Sequence, residues 1–254
     1  MPRLLAALAC ALALGATPAL AAPGVAAASD LKFALDEIAQ AYTRETGAAV
    51  RLTYGSSGNF RRQIAEGAPF EIFLSADESY VLALAKDGRL EDEGTLYATG
   101  RLVLFAPAGS PVDPGRGLEG LAALARTGGV ARFAIANPAH APYGRAARQA
   151  LEHAGAWKSL EGRLVLGENV SQAAQFAVSG NAAAGLFAYS LTFSPAVAAR
   201  GRFALVPEAA HAPLRQRMAL VKGAGEEARA FYRHLQGKAA RVAFARHGFT
   251  LPGS

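Results

Sequence analysis

Apolar and polar positions along this chain fall into blocks whose period switches between strand-like and helix-like. Short apolar runs at 25–28, 50–54, 71–75 and 101–106 predict strands. Between the first two, Leu31, Leu35, Ile38, Ala39 and Tyr42 share one face of a helix expected over 31–45, and Gly47 ends it. A short helix is expected over 60–66, stopped by Gly67, and Asp77 caps another that reaches Asp87 and Gly88. Residues 108–117 hold Pro111, Pro114 and three glycines, which marks a boundary. The alternation then restarts. Helices are expected at 118–125, 145–154, 171–179 and 191–200, and strands at 132–136, 164–166, 184–188 and 203–206. A strand at 217–221 and helices at 226–236 and 238–247 close the chain.

Strands alternating with helices predict an α/β protein with mostly parallel sheets covered on both faces. Because the second half repeats the architecture of the first, the expected fold is two lobes facing each other across a ligand cleft. The expected division is residues 22–106 with 206–254 in one lobe and 107–205 in the other. A ligand held between such lobes is enclosed and released by hinge closure.

Ligand sites in such sheets lie beyond the carboxyl ends of the strands, and the chain places small hydroxyl residues there. Ala26-Ala27-Ala28 runs into Ser29-Asp30, and the strand ending at Tyr54 runs into Gly55-Ser56-Ser57-Gly58. Helices follow at once, so Ser29 and Ser57 sit where unpaired backbone N–H groups and the positive end of a helix dipole are exposed. Such places accept an anion without a cationic side chain. Tyr143 and Val170 repeat that arrangement in the second half. A plainer reading stands beside this one: serine is a preferred N-cap residue, and the glycine-serine run also suits an ordinary loop.

Composition narrows the classes. The 254 residues are 52% hydrophobic and 18% charged, ample for packed cores and unlike a disordered chain. Residues 1–21 read as an export leader: Arg3, an apolar stretch over 4–14, and Ala19-Leu20-Ala21 as the cleavage site. That run is shorter than the ~20 residues a membrane span needs. Export removes Cys10, so the mature chain has neither disulfides nor a thiolate metal site. Loss of Arg3 also takes the net charge from +6 to +5. The basic residues are scattered rather than clustered with aromatics, which argues against a nucleic-acid partner.

Enzymatic motifs are weak. Gly-x-Ser-x-Gly is absent around Ser57, as are a phosphate-binding Walker loop and metal-ligand spacing among His140, His153, His211, His234 and His247. Each histidine reads as solvated. An exported hydrolase using Ser57 is the enzymatic alternative. A binder of sulfate, phosphate or a small organic anion is the other. An amino-acid binder would need an arginine in the cleft, with Arg61 or Arg145 nearest.

Several segments together resemble the molybdate-binding periplasmic proteins of bacterial ABC transporters. They are Ala26-Ala27-Ala28-Ser29-Asp30-Leu31, Gly55-Ser56-Ser57-Gly58 with Gln63-Ile64, Gly67-Ala68-Pro69, and Phe73-Leu74-Ser75-Ala76-Asp77. Asn137-Pro138, Ala141-Pro142-Tyr143-Gly144, Glu168-Asn169-Val170 and the ending from Lys238-Ala239-Ala240 to Gly248-Phe249 continue the match over nearly the whole mature chain. The resemblance implies a type II periplasmic-binding-protein fold and a monomer that delivers molybdate or tungstate to a membrane permease. It implies no cofactor and no side chain bonded directly to a metal. The oxyanion would be held by Ser29, the N–H of Asp30, Ser57, Tyr143 and the N–H of Val170. Tyr189 falls one place from a tyrosine that some members use. Asp30 departs from relatives with a neutral residue there, and it is expected to turn away and cap the helix beginning at Leu31.

Overall fold

The computed structural model describes residues 22–253, so the expected leader and Cys10 lie outside the described residues. The first strand-helix blocks are β1 (Gly24–Ala28), α1 (Lys32–Thr46), β2 (Arg51–Gly55), α2 (Ser57–Ala65), β3 (Ile72–Ser75) and α3 (Glu78–Lys86). Next come β4 (Thr95–Gly100) and β5 (Leu102–Pro107), with only Arg101 between them. Then follow α4 (Gly117–Arg126), β6 (Phe133–Ala136), α5 (Pro142–His153), α6 (Trp157–Leu160), β7 (Leu164–Gly167), α7 (Val170–Val178), β8 (Ala184–Ala188), α8 (Pro195–Ala198) and β9 (Gly201–Leu205). The chain ends with β10 (Leu214–Leu220), α9 (Glu226–Gln236) and α10 (Lys238–Arg246).

Two five-stranded sheets result, ordered β2-β1-β3-β10-β4 and β7-β6-β8-β5-β9. In the first, β1, β2 and β3 are parallel, β10 is antiparallel to β3, and β4 is antiparallel to β10. Hence β10 alone runs against the rest. The second sheet repeats this with β5 as its reversed strand. The reversed strands are the ones the chain enters by crossing between lobes.

The lobe boundary differs from the expected one. Strand β5 pairs with β8 and β9 in the second sheet, so the first crossing lies at Arg101, not after Ala106. Strand β4 completes the first sheet, although its sequence Thr95-Leu96-Tyr97-Ala98-Thr99-Gly100 is too polar to stand out beside its apolar neighbour. The return crossing follows Val206, whose N–H donates to Leu102 O at 2.9 Å.

Burial explains the apolar runs. All five residues of β1 and of β8 are buried, as the central strands of a sheet covered on both faces require. Val25 and Ala27 join the core beneath α1, while Ala26 packs with Phe60, Ile64, Phe73, Val81 and Leu84 beneath α2 and α3. Among the described residues, no helix is long and apolar enough to cross a membrane.

Candidate functional site

Four strand-to-helix junctions meet between the sheets. From β1 the chain enters a 3-10 turn, Ser29–Leu31, before α1. From β2 it passes Ser56, and α2 begins at Ser57. Helix α5 begins at Pro142 and Tyr143, so proline occupies a position whose missing N–H costs the helix nothing. Helix α7 begins at Val170 behind Asn169, whose side chain accepts the Gln172 N–H at 3.0 Å as an N-cap. First-turn N–H groups have no partner within their own helix, and helix dipoles turn their positive ends to the same place.

These junctions enclose a small cavity. Ser29, Asp30, Ser57, Tyr143 and Val170 all line it, together with Ala28, Gly55, Ser56, Ala76, Ala141 and Pro142. It is small, about 10 Å³, about the space one water molecule needs. Among the described residues that line it, none is lysine, arginine or histidine. Larger grooves exist elsewhere on the surface, but the five expected residues converge on this one.

The hydroxyls are set by definite partners. Ser57 Oγ accepts the Ala76 N–H at 3.0 Å, leaving its proton free to turn toward an occupant. Ser29 Oγ donates to Asn169 Oδ1 at 3.1 Å and accepts the Ser171 N–H at 3.2 Å. Ser171 Oγ donates in return to Ser29 O at 2.9 Å. Ser29 in the first lobe is thereby tied to the start of α7 in the second.

A second set of contacts holds the lobes together. Gly58 N and Ser56 Oγ both donate to the His140 carbonyl, at 3.0 and 2.7 Å. A side chain at Gly58 would overlap that carbonyl and crowd the Tyr80 hydroxyl, so the close approach requires glycine. Ser56 Oγ also lies 3.0 Å from His140 Nδ1, but its proton goes to the carbonyl; the pair serves as a clasp. Arg145 reaches across to Asp77 and to the Tyr80 hydroxyl.

Asp30 corrects the expectation made for it. Its side chain does not cap the helix beginning at Leu31; the 3-10 turn and α1 carry no side-chain cap. The carboxyl is instead 1% exposed, and Oδ2 accepts from Gln216 Nε2 at 2.6 Å. Gln216, on β10, also accepts the Tyr97 hydroxyl at 2.7 Å and lies 3.4 Å from the Tyr143 hydroxyl. Oδ1 has no hydrogen-bond partner. Burial pushes the Asp30 pKa up from 3.8 to about 6, although bonds from Gln216 and Tyr143 oppose the rise. The Tyr97 and Tyr143 phenols are held well above their usual range, first by burial and then by the Asp30 charge.

Tyr189 lies apart from the cavity. Its ring packs on Phe193 and Phe203, and its N–H donates to Arg101 O at 2.8 Å, at the lobe crossing. Its neighbour Ser190 reaches the site from behind, donating to Asp30 O at 2.7 Å. Solvated histidines were expected, yet His211 is 9% exposed and His140 belongs to the clasp. Asn169, Gln216 and Tyr97 were also missed. For Asn169 a signal existed: Asn-x-x-Gln before an apolar run is a helix-start pattern. Gln216 is 186 residues from Asp30, and no local pattern joins them.

Residues 24–250 match the sequence profile of the family described as bacterial extracellular solute-binding protein. The chain is 37% identical over 217 residues to the molybdate-binding protein ModA of Rhodobacter capsulatus, covering 85% of this chain and 82% of that one. To the ModA of Azotobacter vinelandii it is 34% identical over 230 residues, 89% of each chain. The solved structure of the Azotobacter vinelandii periplasmic molybdate-binding protein superposes with a TM-score of 0.81 at 30% identity, covering 91% of this chain and 99% of the other. Profile, identity and superposition agree: this chain belongs to the bacterial extracellular solute-binding proteins, within the ModA family of molybdate-binding proteins.

Proposed function

We propose that this protein is the periplasmic solute-binding component of an ABC transporter, binding molybdate and tungstate as bare tetrahedral oxyanions and delivering them to a membrane permease as a monomer. One observation carries the reading. The first turns of helices from both lobes, with two serines, face one small cavity whose described lining has no cationic side chain. The assigned donors are the Ser57 hydroxyl and the N–H groups of Ser29, Asp30, Ser57, Tyr143 and Val170; the Ser29 hydroxyl proton goes to Asn169. Tyr143 acts through its N–H, since its hydroxyl stands by Gln216 and Asp30.

A dianion leaving water suffers a large desolvation cost, so each oxygen needs donors. Hydrogen bonds to charged groups contribute ~1.5–3 kcal/mol each. Roughly six such donors reach the ~8–12 kcal/mol of a micromolar to nanomolar complex after ordering costs. Donors from both lobes also give the ligand its differential affinity for the closed form. The small volume disfavours an amino acid or other extended anion.

Calorimetric titration of the purified mature protein with molybdate, tungstate, sulfate and phosphate tests the assignment. Saturable heat with the first two, and at least tenfold weaker binding of the others, is the expected outcome. Equal affinity for sulfate, or no heat with molybdate, would refute it.

A further inference from the structure

Tyr143 belongs to one lobe by its backbone and reaches the other with its side chain. It lines the cavity at the start of α5, which follows β6 of the second sheet. Its side chain is buried, and the groups around the phenol tip all come from the first lobe. The hydroxyl lies 3.4 Å from Gln216 Nε2, on β10, and beside the Asp30 carboxyl. The tip also rests on Gly100, the last residue of β4. A Cβ at Gly100 would overlap the Tyr143 hydroxyl oxygen and stand 3.0 Å from Cζ. Gly100 itself does not line the cavity.

Neither end of this contact has slack. The next residue, Gly144, is pressed on β6, where a Cβ would overlap the Ala136 carbonyl, so the first turn of α5 is seated on its own sheet. On the other side, Gly100 pairs with Leu214 of β10 and is followed at once by Arg101, the crossing between lobes. A methyl group at Gly100 would have to push the phenol by roughly 1 Å to reach ordinary contact distance. A close-packed side chain passes such a push on to its backbone, and an N–H···O bond does not survive that displacement. We infer that Gly100 is a positioning residue for the oxyanion. It touches no ion, but its missing side chain forms the socket that seats the Tyr143 phenol, and that seating places the Tyr143 N–H in the site. The inference rests on reading this cavity as an oxyanion site with the Tyr143 N–H among its donors.

The socket ties affinity to the lobe crossing. Hinge rotation is absorbed by a few residues at element ends, and Arg101 is the one residue between β4 and β5. Withdrawing the phenol from Gly100 and withdrawing the Tyr143 N–H from the ion are then one movement.

Molybdate titration calorimetry and amide NMR on four proteins test this: the wild type, Gly100→Ala, Tyr143→Phe and the double variant. Gly100→Ala should bind molybdate about tenfold or more weakly than the wild type. Tyr143→Phe keeps the N–H but loses the polar tip of the phenol, and should bind about threefold more weakly. Because the overlap at Gly100 is tightest with the hydroxyl oxygen, the double variant should bind more tightly than Gly100→Ala alone. Two substitutions that merely loosened the fold would add their losses instead. The wild-type Tyr143 amide resonance should shift on adding molybdate, and the shift should shrink in Gly100→Ala. Wild-type affinity in Gly100→Ala, or a double variant no tighter than that single one, would overturn the inference and leave the site reading intact. Where circular dichroism shows Gly100→Ala unfolded, Tyr143→Phe decides: threefold weaker binding supports the socket and unchanged affinity overturns it. No heat and no amide shift in the wild type would take down the inference and the site reading together.

Discussion

Replacing Asp30 by asparagine should change how the empty protein's stability responds to pH. The Asp30 carboxyl ionises at about 6 in the folded chain, against 3.8 in its ordinary state. Between those values the folded state holds a proton that the unfolded state has lost. Stability from this group is therefore fully present below about pH 4, falls as pH rises to about 6, and is flat above. The size follows from the shift: about 2.2 pKa units at 1.36 kcal/mol each is about 3 kcal/mol. Asparagine cannot ionise, so its variant lacks this loss. Urea unfolding at intervals from pH 4 to 8 without oxyanion, for both proteins, gives the difference. The variant should gain about 3 kcal/mol on the wild type between pH 4 and 7. Taking the difference also removes the opposite contribution of Glu37 and Glu78, whose pKa values are lowered by His247 with Arg246 and by Arg215 with Arg217, against the effect of burial. Parallel curves for the two proteins would refute a buried Asp30 whose pKa is raised in the folded chain.

Other substitutions probe the donors and the clasp. Ser57→Ala should weaken molybdate binding by about tenfold or more with circular dichroism unchanged; unaltered affinity by calorimetry would remove Ser57 from the site. Gly58→Ala places a methyl group against the His140 carbonyl, so it should hinder closure and speed ligand release in stopped-flow measurements. Arg145→Ala removes a partly exposed ion pair with Asp77 and should weaken binding by less than about 1 kcal/mol, less still at high salt. Saturating molybdate, at about 100 times its Kd, should add about 2.7 kcal/mol to stability and raise the melting temperature, while equal phosphate should not.

Much of the architecture is local and could be read from the chain. The period of apolar positions depends only on neighbours within a turn or a pleat, so β1, α1, β2 and the later strand-helix blocks were visible, and so was the repetition of one lobe by the other. The junction residues Ser29, Ser57, Tyr143 and Val170 were legible because a helix start has a local chemistry of its own. Tertiary pairing decided the remainder. Strand β5 belongs to the second sheet because β8 and β9 hydrogen-bond to it, and nothing in Leu102–Pro107 names those partners. Asp30 turned away from capping because Gln216 and Tyr97, distant in sequence, offered its carboxyl a buried polar neighbourhood instead of water. Hydrogen bonding and desolvation depend on what surrounds a group in space, and for a side chain enclosed between two lobes those surroundings come into being only when the chain has folded.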